Sequence, residues 1–503
     1  MLPQLEPHDK FNRQLEASVH PTNWQNPTPA GRYHLVVIGA GPAGLVAAAS
    51  AAGLGAKVAL IERDLMGGDC LNTGCVPSKG IISAARRAAV IRRSGEFGVH
   101  VPDGVHVDFA DVMRRMRKLR SRIAPNDSAA RFRDLGIDVF LGSGKFTASD
   151  ALQVGNTTLK FRKAIICTGT RASIPPIPGI DEVPYLTNET VFSLTQLPRR
   201  FGIIGAGPIG CELAQSFAQF GSEVFLVETS HGILPREDPD AAAIVKKSMI
   251  NDGVNLLCCS KETQLRRDGA RIHLSVQSHN TTYDRTVDAL LIAAGRTANT
   301  CGLGLETVGV KFDENGVEVN DRLQTTNPAI YAAGDICSKH RFTHSADFLA
   351  RNVVSNALFM GRNRASSLLI PRATYTTPEI AQVGLSADEA AITNIPVETY
   401  TLEFSDVDRA VLEGEEDGFV RVHTARGKDK ILGATIVAGS AGDMISEITL
   451  AMNNGIGLRR IAGSIHPYPT QTEAIRRIGD MYNRTRLTPF VKSLIGKWLW
   501  WTG

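Results

Sequence analysis

The sequence predicts an α/β protein, built from two related parallel-sheet domains and a smaller α+β domain. Three observations predict it. The chain has 503 residues, more than the roughly 250–300 that one hydrophobic core sustains. A phrase of buried strand, glycine turn and small-residue helix occurs twice, as "YHLVVIGAGPAGLVAAASAAGLGAKVALIE" and as "RFGIIGAGPIGCELAQSFAQFGSEVFLVE". Beyond residue 367 the pattern changes to short strands and a glycine-ended helix.

Composition sets outer limits. The apolar fraction of 43% and charged fraction of 21% are ordinary for a globular protein. A net charge of +4 is too small to point to nucleic acid. No apolar run reaches the roughly eighteen residues that a membrane-spanning helix needs. Asp9, Lys10, Arg13 and Glu16 interrupt the N-terminal stretch, so a signal peptide is not expected. Eight cysteines are too few for a disulfide scaffold. The expected setting is therefore reducing and cytoplasmic, where a disulfide is more often catalytic than structural.

Residues 1–31 are polar and broken by prolines, and are expected to form a loose arm without a core. Residues 32–180 and 298–367 are read as two parts of the first parallel-sheet domain. Residues 181–297 are read as the second. In the first, Gly39, Gly41 and Gly44 form the turn and Glu62 ends the next strand. In the second, Gly205, Gly207 and Gly210 are followed by Glu228, and the spacing from first glycine to acid is 23 residues in both. The first glycine permits the tight turn, the second lets a pyrophosphate approach, and the third lets helix and sheet pack. The helix N-terminus favours the phosphate, and the acid accepts a ribose hydroxyl. Two such units, each in strand–turn–helix context, predict two Rossmann-like dinucleotide sites.

Two stretches read as returns between these domains. "AIICTGTRASIPPIPG" carries Thr168 and Gly169, and "ALLIAAGRTAN" carries Gly295. "TTNPAIYAAGDI" is a strand ending in Gly334-Asp335. An acid there either meets a ligand hydroxyl or caps the following helix. In residues 368–485, "ATYTTPEIAQVGL", "GFVRVHT" and "ILGATIVAG" read as strands and "AGDMISEITLAMNNG" as a helix. In the tail, 486–503, Phe490, Val491, Leu494, Ile495, Trp498 and Leu499 recur at helical spacing. The first reading of that tail is a helix packed on a dimer. The second is weak membrane contact through Trp500 and Trp501 beside lysine.

"GGDCLNTGCVPSK", Gly67–Lys79, places Cys70 and Cys75 between glycines and a proline. They could be zinc ligands, a staple, a redox pair or coincidence. Zinc needs further ligands at metal spacing. No CxxC exists, and His34 and His100 belong to other elements. Five helical steps rise about 7.5 Å, beyond the roughly 7 Å Cα limit for a bridge. A bridge therefore requires Asn72-Thr73-Gly74 to depart from helix before a helix starts near Cys75. Such a bridge is the reducible kind, and Cys75 at a helix start would be an acidic thiol. Next to a dinucleotide site, the pair reads as a redox disulfide.

With these motifs in order, from Tyr33 to Arg484, the sequence resembles the flavin-dependent pyridine nucleotide–disulfide oxidoreductases. That family includes dihydrolipoamide dehydrogenase, glutathione reductase and mercuric reductase. The resemblance implies FAD at the first glycine turn and NADH or NADPH at the second. It implies that Cys75 lies against the flavin as a charge-transfer thiolate and that Cys70 exchanges with substrate. It implies that Lys79 pairs with Glu212 near the flavin, and that Asp335 binds on its ribityl side. Gly68, Thr168, Gly169, Gly295 and Gly334 join the expected cofactor contacts. A homodimer is implied in which each C-terminal domain completes the other's active site. Asp69 stands where many relatives have threonine, which places a carboxylate close to the disulfide.

"SIHPYPTQTEAIRR" discriminates within the family. Dithiol–disulfide members offer a histidine base here and a glutamate five residues later. Glu473 is present, but Tyr468 occupies the histidine's place. A phenol with pKa near 10 is a poor base at neutral pH. His466 is a second candidate base, offset in the motif. Tyrosine here, with "LPREDPD", resembles mercuric reductase. Dihydrolipoyl dehydrogenase is the enzymatic alternative, and a non-catalytic flavoprotein docked through its tail is the alternative from another class. Against the mercuric pattern, no cysteine follows Cys337 and no tyrosine lies between Tyr33 and Tyr185. Cys258-Cys259 is a vicinal pair in "GVNLLCCS", read as a strand. Adjacent strand side chains face opposite ways, so no metal site is expected there. Glu228, with no arginine beside it, favours a free ribose 2′-hydroxyl and hence NADH over NADPH.

Overall fold

The computed structural model describes residues 5–29 and 31–503. The chain divides into two compact units. One comprises the residues up to Thr229 together with Asn255–Leu368, the other Ser230–Val254 together with Leu369–Gly503.

The first unit holds both glycine turns. Strand Tyr33–Ile38 lies between Val58–Glu62 and Thr157–Ile166, parallel to both, with Leu35 opposite Val58 and Val36 opposite Ala164. Asp138–Leu141 extends this sheet beyond Val58–Glu62, and Ile330–Ala332 lies along Thr157–Ile166. The apolar strands are buried on both faces, as a parallel sheet covered by helices requires. The second sheet repeats the arrangement in the order 254–257, 223–227, 200–204, 289–292. After each turn a helix begins with proline at its first position, Pro42–Gly53 and Pro208–Phe220. Proline costs nothing there, because that N–H has no partner inside the helix. The two returns meet as a short antiparallel pair, Thr170–Ala172 with Arg296–Ala298.

The second unit contains a five-stranded antiparallel sheet in the order 372–374, 379–384, 431–438, 419–425, 397–403. Helices Ala441–Asn453 and Glu473–Thr485 cover it, burying Ile445, Ile448, Ile475 and Ile478. The acids of "LPREDPD" hold this unit together. Arg372 Nε pairs with Glu237 at 3.1 Å, and Arg421 with Asp238 at 2.8 Å and Asp240 at 2.7 Å.

Two sequence readings differ from the structure. The N-terminal arm is not loose. Lys10–Val19 is a helix whose cap, Asp9, accepts hydrogen bonds from the N–H groups of Phe11 and Asn12. Leu15 and Val19 are fully buried in the first unit's core, and Arg117 Nε donates to Asp9 at 2.7 Å. This short apolar stripe is concealed by the polar composition around it. The vicinal cysteines are also not in a strand. The strand ends at Leu257, and Cys259 adopts a left-handed φ of 54°. The tail is a helix, Pro489–Thr502, but it buries no residue in this chain. Among the described residues, no helix is long and apolar enough to cross a membrane.

Candidate active site

The redox segment is built as its glycines require. Helix Gly68–Asn72 ends at Thr73, and a new helix, Cys75–Arg93, starts after Gly74 at φ −137°, ψ −115°. This break is the departure from helix that the five-residue spacing demanded. A Cβ at Gly74 would lie 2.7 Å from the carbonyl oxygen of Asp69, so the two helices approach through it. Gly68 has φ 53°, and a Cβ there would lie 2.7 Å from Cα of Gly41. The redox segment therefore packs directly on the first glycine turn. Gly334 closes on the same place, since its Cβ would meet Cβ of Ala43 at 3.1 Å.

The two thiols share a hydrogen bond and divide one proton unequally. Cys75 is lowered to about 6, chiefly by the hydrogen bond from Cys70, with smaller help from Thr343 and the Lys79 charge against the cost of burial. Cys70 is pushed far up, chiefly by donating to Cys75 and then by burial. Thr343 Oγ1 lies 3.5 Å from Cys75 Sγ. Lys79 Nζ lies 2.9 Å from Glu212 Oε2, and the Glu212 carboxylate is buried. At neutral pH the arrangement is a Cys75 thiolate and a Cys70 thiol.

Asp69 takes a partner the sequence did not announce. Its carboxylate pairs with Arg296, whose Nε also donates to Thr170 Oγ1 at 2.7 Å. Asp335 accepts from Thr170 Oγ1 at 3.3 Å, and burial raises its carboxyl against the pull of Arg296 and Arg341. The next helix begins only at Thr343, after Phe342, so Asp335 is not its cap. Thr168 Oγ1 donates to the carbonyl of Asn299 at 2.9 Å, and Gly169 and Gly295 take φ of 64° and 126° where the two returns join.

The glycine turns fit two dinucleotides. Cβ atoms at Gly39 and Gly44 would meet backbone oxygens at 2.4 and 1.8 Å, and those at Gly205 and Gly210 at 2.5 and 1.9 Å. The fold itself demands these four. The middle glycines are different. A Cβ at Gly207 meets nothing within 4 Å, and one at Gly41 makes only ordinary contact at 3.8 Å. No protein atom requires glycine at Gly207, which leaves room at the helix start for a pyrophosphate. Glu62 Oε2 accepts from Ala40 N at 2.6 Å and Glu228 Oε2 from Ala206 N at 2.8 Å. Each acid thus anchors its own turn, at the strand end where a carboxylate can also accept from a ribose hydroxyl.

The second unit carries the remaining expected residues. Tyr468 is 69% exposed, and its hydroxyl donates to Asp408 at 2.7 Å, which raises the phenol above its ordinary value. His466 uses both ring nitrogens, Nε2 against Glu447 at 2.9 Å and Nδ1 against the Ser464 carbonyl at 3.1 Å. Glu473 pairs with Arg476 at 3.1 Å.

Two participants were missed. Arg120 donates to the Asn72 carbonyl at 2.5 Å and to Asn12 at 2.6 Å, tying the N-terminal helix to the break before Cys75. Thr343 stands 268 positions from Cys75, and no spacing rule connects them.

Residues 33–353 match the family described as Pyridine nucleotide-disulphide oxidoreductase, and residues 370–478 match its dimerisation domain. A mercuric reductase of Staphylococcus aureus is 32% identical over 447 residues, covering 89% of this chain and 82% of its own. A dihydrolipoyl dehydrogenase of Chlamydia muridarum is 34% identical over 451 residues, covering 88% and 95%. Among solved structures, a Cu(II) complex of the flavoprotein disulfide reductase RclA from Escherichia coli superposes with a TM-score of 0.79 at 27% identity, covering 90% of this chain and 100% of that one.

Proposed function

We infer the function from one premise: this chain belongs to the pyridine nucleotide-disulphide oxidoreductase family. It is an FAD-dependent oxidoreductase of NAD(P)H. Within that class we propose that it reduces a thiol-bound, mercuric-type metal ion through Cys70 and Cys75, as a homodimer. Nothing supports a non-catalytic docking role.

The observation that carries the metal reading is where the protons sit. Gly39, Gly41, Gly44, Glu62, Gly68 and Asp335 would hold FAD, which when bound would supply the two-electron link between the nucleotide and the cysteine pair. To attack a disulfide substrate, the Cys70 thiol must lose its proton to a base. A base works best with a pKa near the operating pH. Tyr468 stands in the base's position with its phenol raised further by Asp408, and His466 is engaged at both nitrogens. A thiophilic cation needs no such base, because binding the sulfur displaces its proton directly. Lys79 favours the Cys75 thiolate throughout. Glu228 supports NADH as the preferred nucleotide, since a carboxylate suits a ribose 2′-hydroxyl and would repel a 2′-phosphate.

The test is anaerobic turnover with NADH and NADPH against Hg(II) in excess thiol, lipoamide and glutathione disulfide. Hg(II) is expected to be reduced fastest, and NADH to give the higher kcat/KM. Tyr468→His should raise lipoamide turnover about 10²-fold or more, the usual worth of general-base assistance, and leave Hg(II) reduction no faster. Fast lipoamide turnover by the wild type, unchanged in His466→Ala, would replace the metal reading with dihydrolipoyl dehydrogenase.

A further inference from the structure

In a strand, Cys258 and Cys259 would point to opposite faces and could not share a ligand. The structure removes that objection. The strand stops at Leu257 and the next begins at Ser260, which leaves the two cysteines as the connection. Cys259 takes φ 54°, a left-handed conformation that few residues other than glycine and asparagine adopt. It turns the second thiol to the same side as the first. Opposite them, the hairpin between strands 271–278 and 281–287 turns through His279 and Asn280, at φ 47° and 64°. Ser278 ties the two turns together by donating Oγ–H to the Cys258 carbonyl at 2.6 Å. The His279 ring then stands over the cysteines, with Nε2 3.3 Å from Cys258 Sγ.

The two sulfurs and the imidazole nitrogen all lie within 4.8 Å of one another. In a tetrahedral zinc site, bond lengths of about 2.3 Å to sulfur and about 2.0 Å to nitrogen separate ligand atoms by about 3.5–3.8 Å. Small side-chain rotations close the difference. Among the described residues this is the cluster of His, Cys and acidic groups with ligand atoms so close. It grades outward, with Cys258 buried, Cys259 half-buried and His279 exposed. A cation would therefore be held by three protein atoms and reached from solvent at a fourth position. Two thiolates and an imidazole select soft or borderline d10 cations and reject magnesium and calcium, which take oxygen.

We propose that Cys258, Cys259 and His279 bind a thiophilic d10 cation, Zn(II) or Cd(II), at a site separate from the Cys70–Cys75 pair. The site adjoins the second glycine turn. Glu228 N–H donates to the Leu257 carbonyl at 3.0 Å, and Ser260 N–H donates to the Glu228 carbonyl at 2.9 Å. The cysteines are thus bracketed by both backbone hydrogen bonds of the acid expected to hold the nucleotide's ribose.

The test uses the full chain with FAD bound, carrying Cys70→Ser and Cys75→Ser so that the redox thiols do not compete. Titration with Cd(II) under reducing conditions, followed by the thiolate-to-cadmium absorption, should show one equivalent bound tightly. Adding Cys258→Ser and Cys259→Ser should abolish the band. His279→Ala, an exposed change in a turn, should keep the band and weaken binding about 10–100-fold. Zn(II) should displace Cd(II) with one-to-one stoichiometry. Absence of a band before the second pair is changed would overturn the proposal. So would a band that survives Cys258→Ser and Cys259→Ser, or an affinity indifferent to His279→Ala.

Discussion

The chain holds two close pairs of cysteines, and they differ in everything but their sulfur. Cys70 and Cys75 are separated by a helix break, so one thiol lies within a short helix and the other starts a long one. Their shared hydrogen bond pushes the two acidities apart, and the nearby Lys79 charge lowers Cys75 further. Cys258 and Cys259 are adjacent, turned to one side by a single left-handed residue, and their neighbour is an imidazole. Unequal protonation suits sequential chemistry, in which one sulfur acts before the other. Two sulfurs and a nitrogen converging on one point suit ligation. Surroundings, rather than sequence separation, divide exchange from binding.

The largest expected effect separates the pairs by turnover. Cys75→Ser should lower NAD(P)H-dependent reduction of Hg(II) by about 10³-fold or more, as loss of a reacting group does. It should also abolish any long-wavelength absorption of the two-electron-reduced protein. Cys258→Ser with Cys259→Ser should leave turnover within about twofold, the range of substitutions remote from the reaction. Comparable losses from both changes would break the comparison.

A smaller effect sharpens the account of the first pair. In reduced protein, iodoacetamide should label Cys75 with a midpoint near pH 6, because the thiolate is the nucleophile. The sign follows from the neighbours. The Lys79 charge lowers Cys75, and Glu212 raises it. Lys79→Met removes the first and leaves the second unpaired, so the midpoint must move up. Labelling at pH 6 should fall by as much as about fivefold, the loss of thiolate when the midpoint rises to about pH 7, with Lys79→Arg close to wild type. Mass mapping assigns the label to Cys75. An unmoved midpoint would show that the hydrogen bond from Cys70 sets the acidity alone.

What could be read from the sequence was what the backbone itself enforces. Gly39, Gly44, Gly205 and Gly210 are glycines because a Cβ would strike a backbone oxygen, and that constraint leaves a local pattern. The departure from helix before Cys75 was equally local, a matter of rise per residue. Contacts between distant segments left no pattern. Arg120 reads as one more charge on an amphipathic helix, yet it joins Asn12 to the Asn72 carbonyl. The N-terminal helix was hidden for the same reason, since its apolar stripe has meaning only against the core that receives it. The vicinal cysteines were misread through one dihedral angle, at Cys259, that no propensity favours. The C-terminal helix shows the opposite case. Its apolar spacing was legible, but Trp498, Trp500 and Trp501 remain exposed in the chain.

The smallest expected effect joins the second pair to the nucleotide. A cation drawing Cys258 and Cys259 toward His279 fixes the backbone between Leu257 and Ser260. Both of the Glu228 backbone hydrogen bonds end on that backbone, so the carboxylate becomes better held before NADH arrives. Preorganisation of this kind tightens binding without a new contact. In the Cys70→Ser/Cys75→Ser protein, Cd(II) should lower the Kd for NADH by about two- to tenfold, the low end of usual coupling between sites. Linkage requires NADH to tighten Cd(II) by the same factor, so the two titrations check each other. His279→Ala should reduce both factors together. Reciprocal factors of one would leave the cation site intact but uncoupled, and the two cysteine pairs would then share a chain without sharing a function.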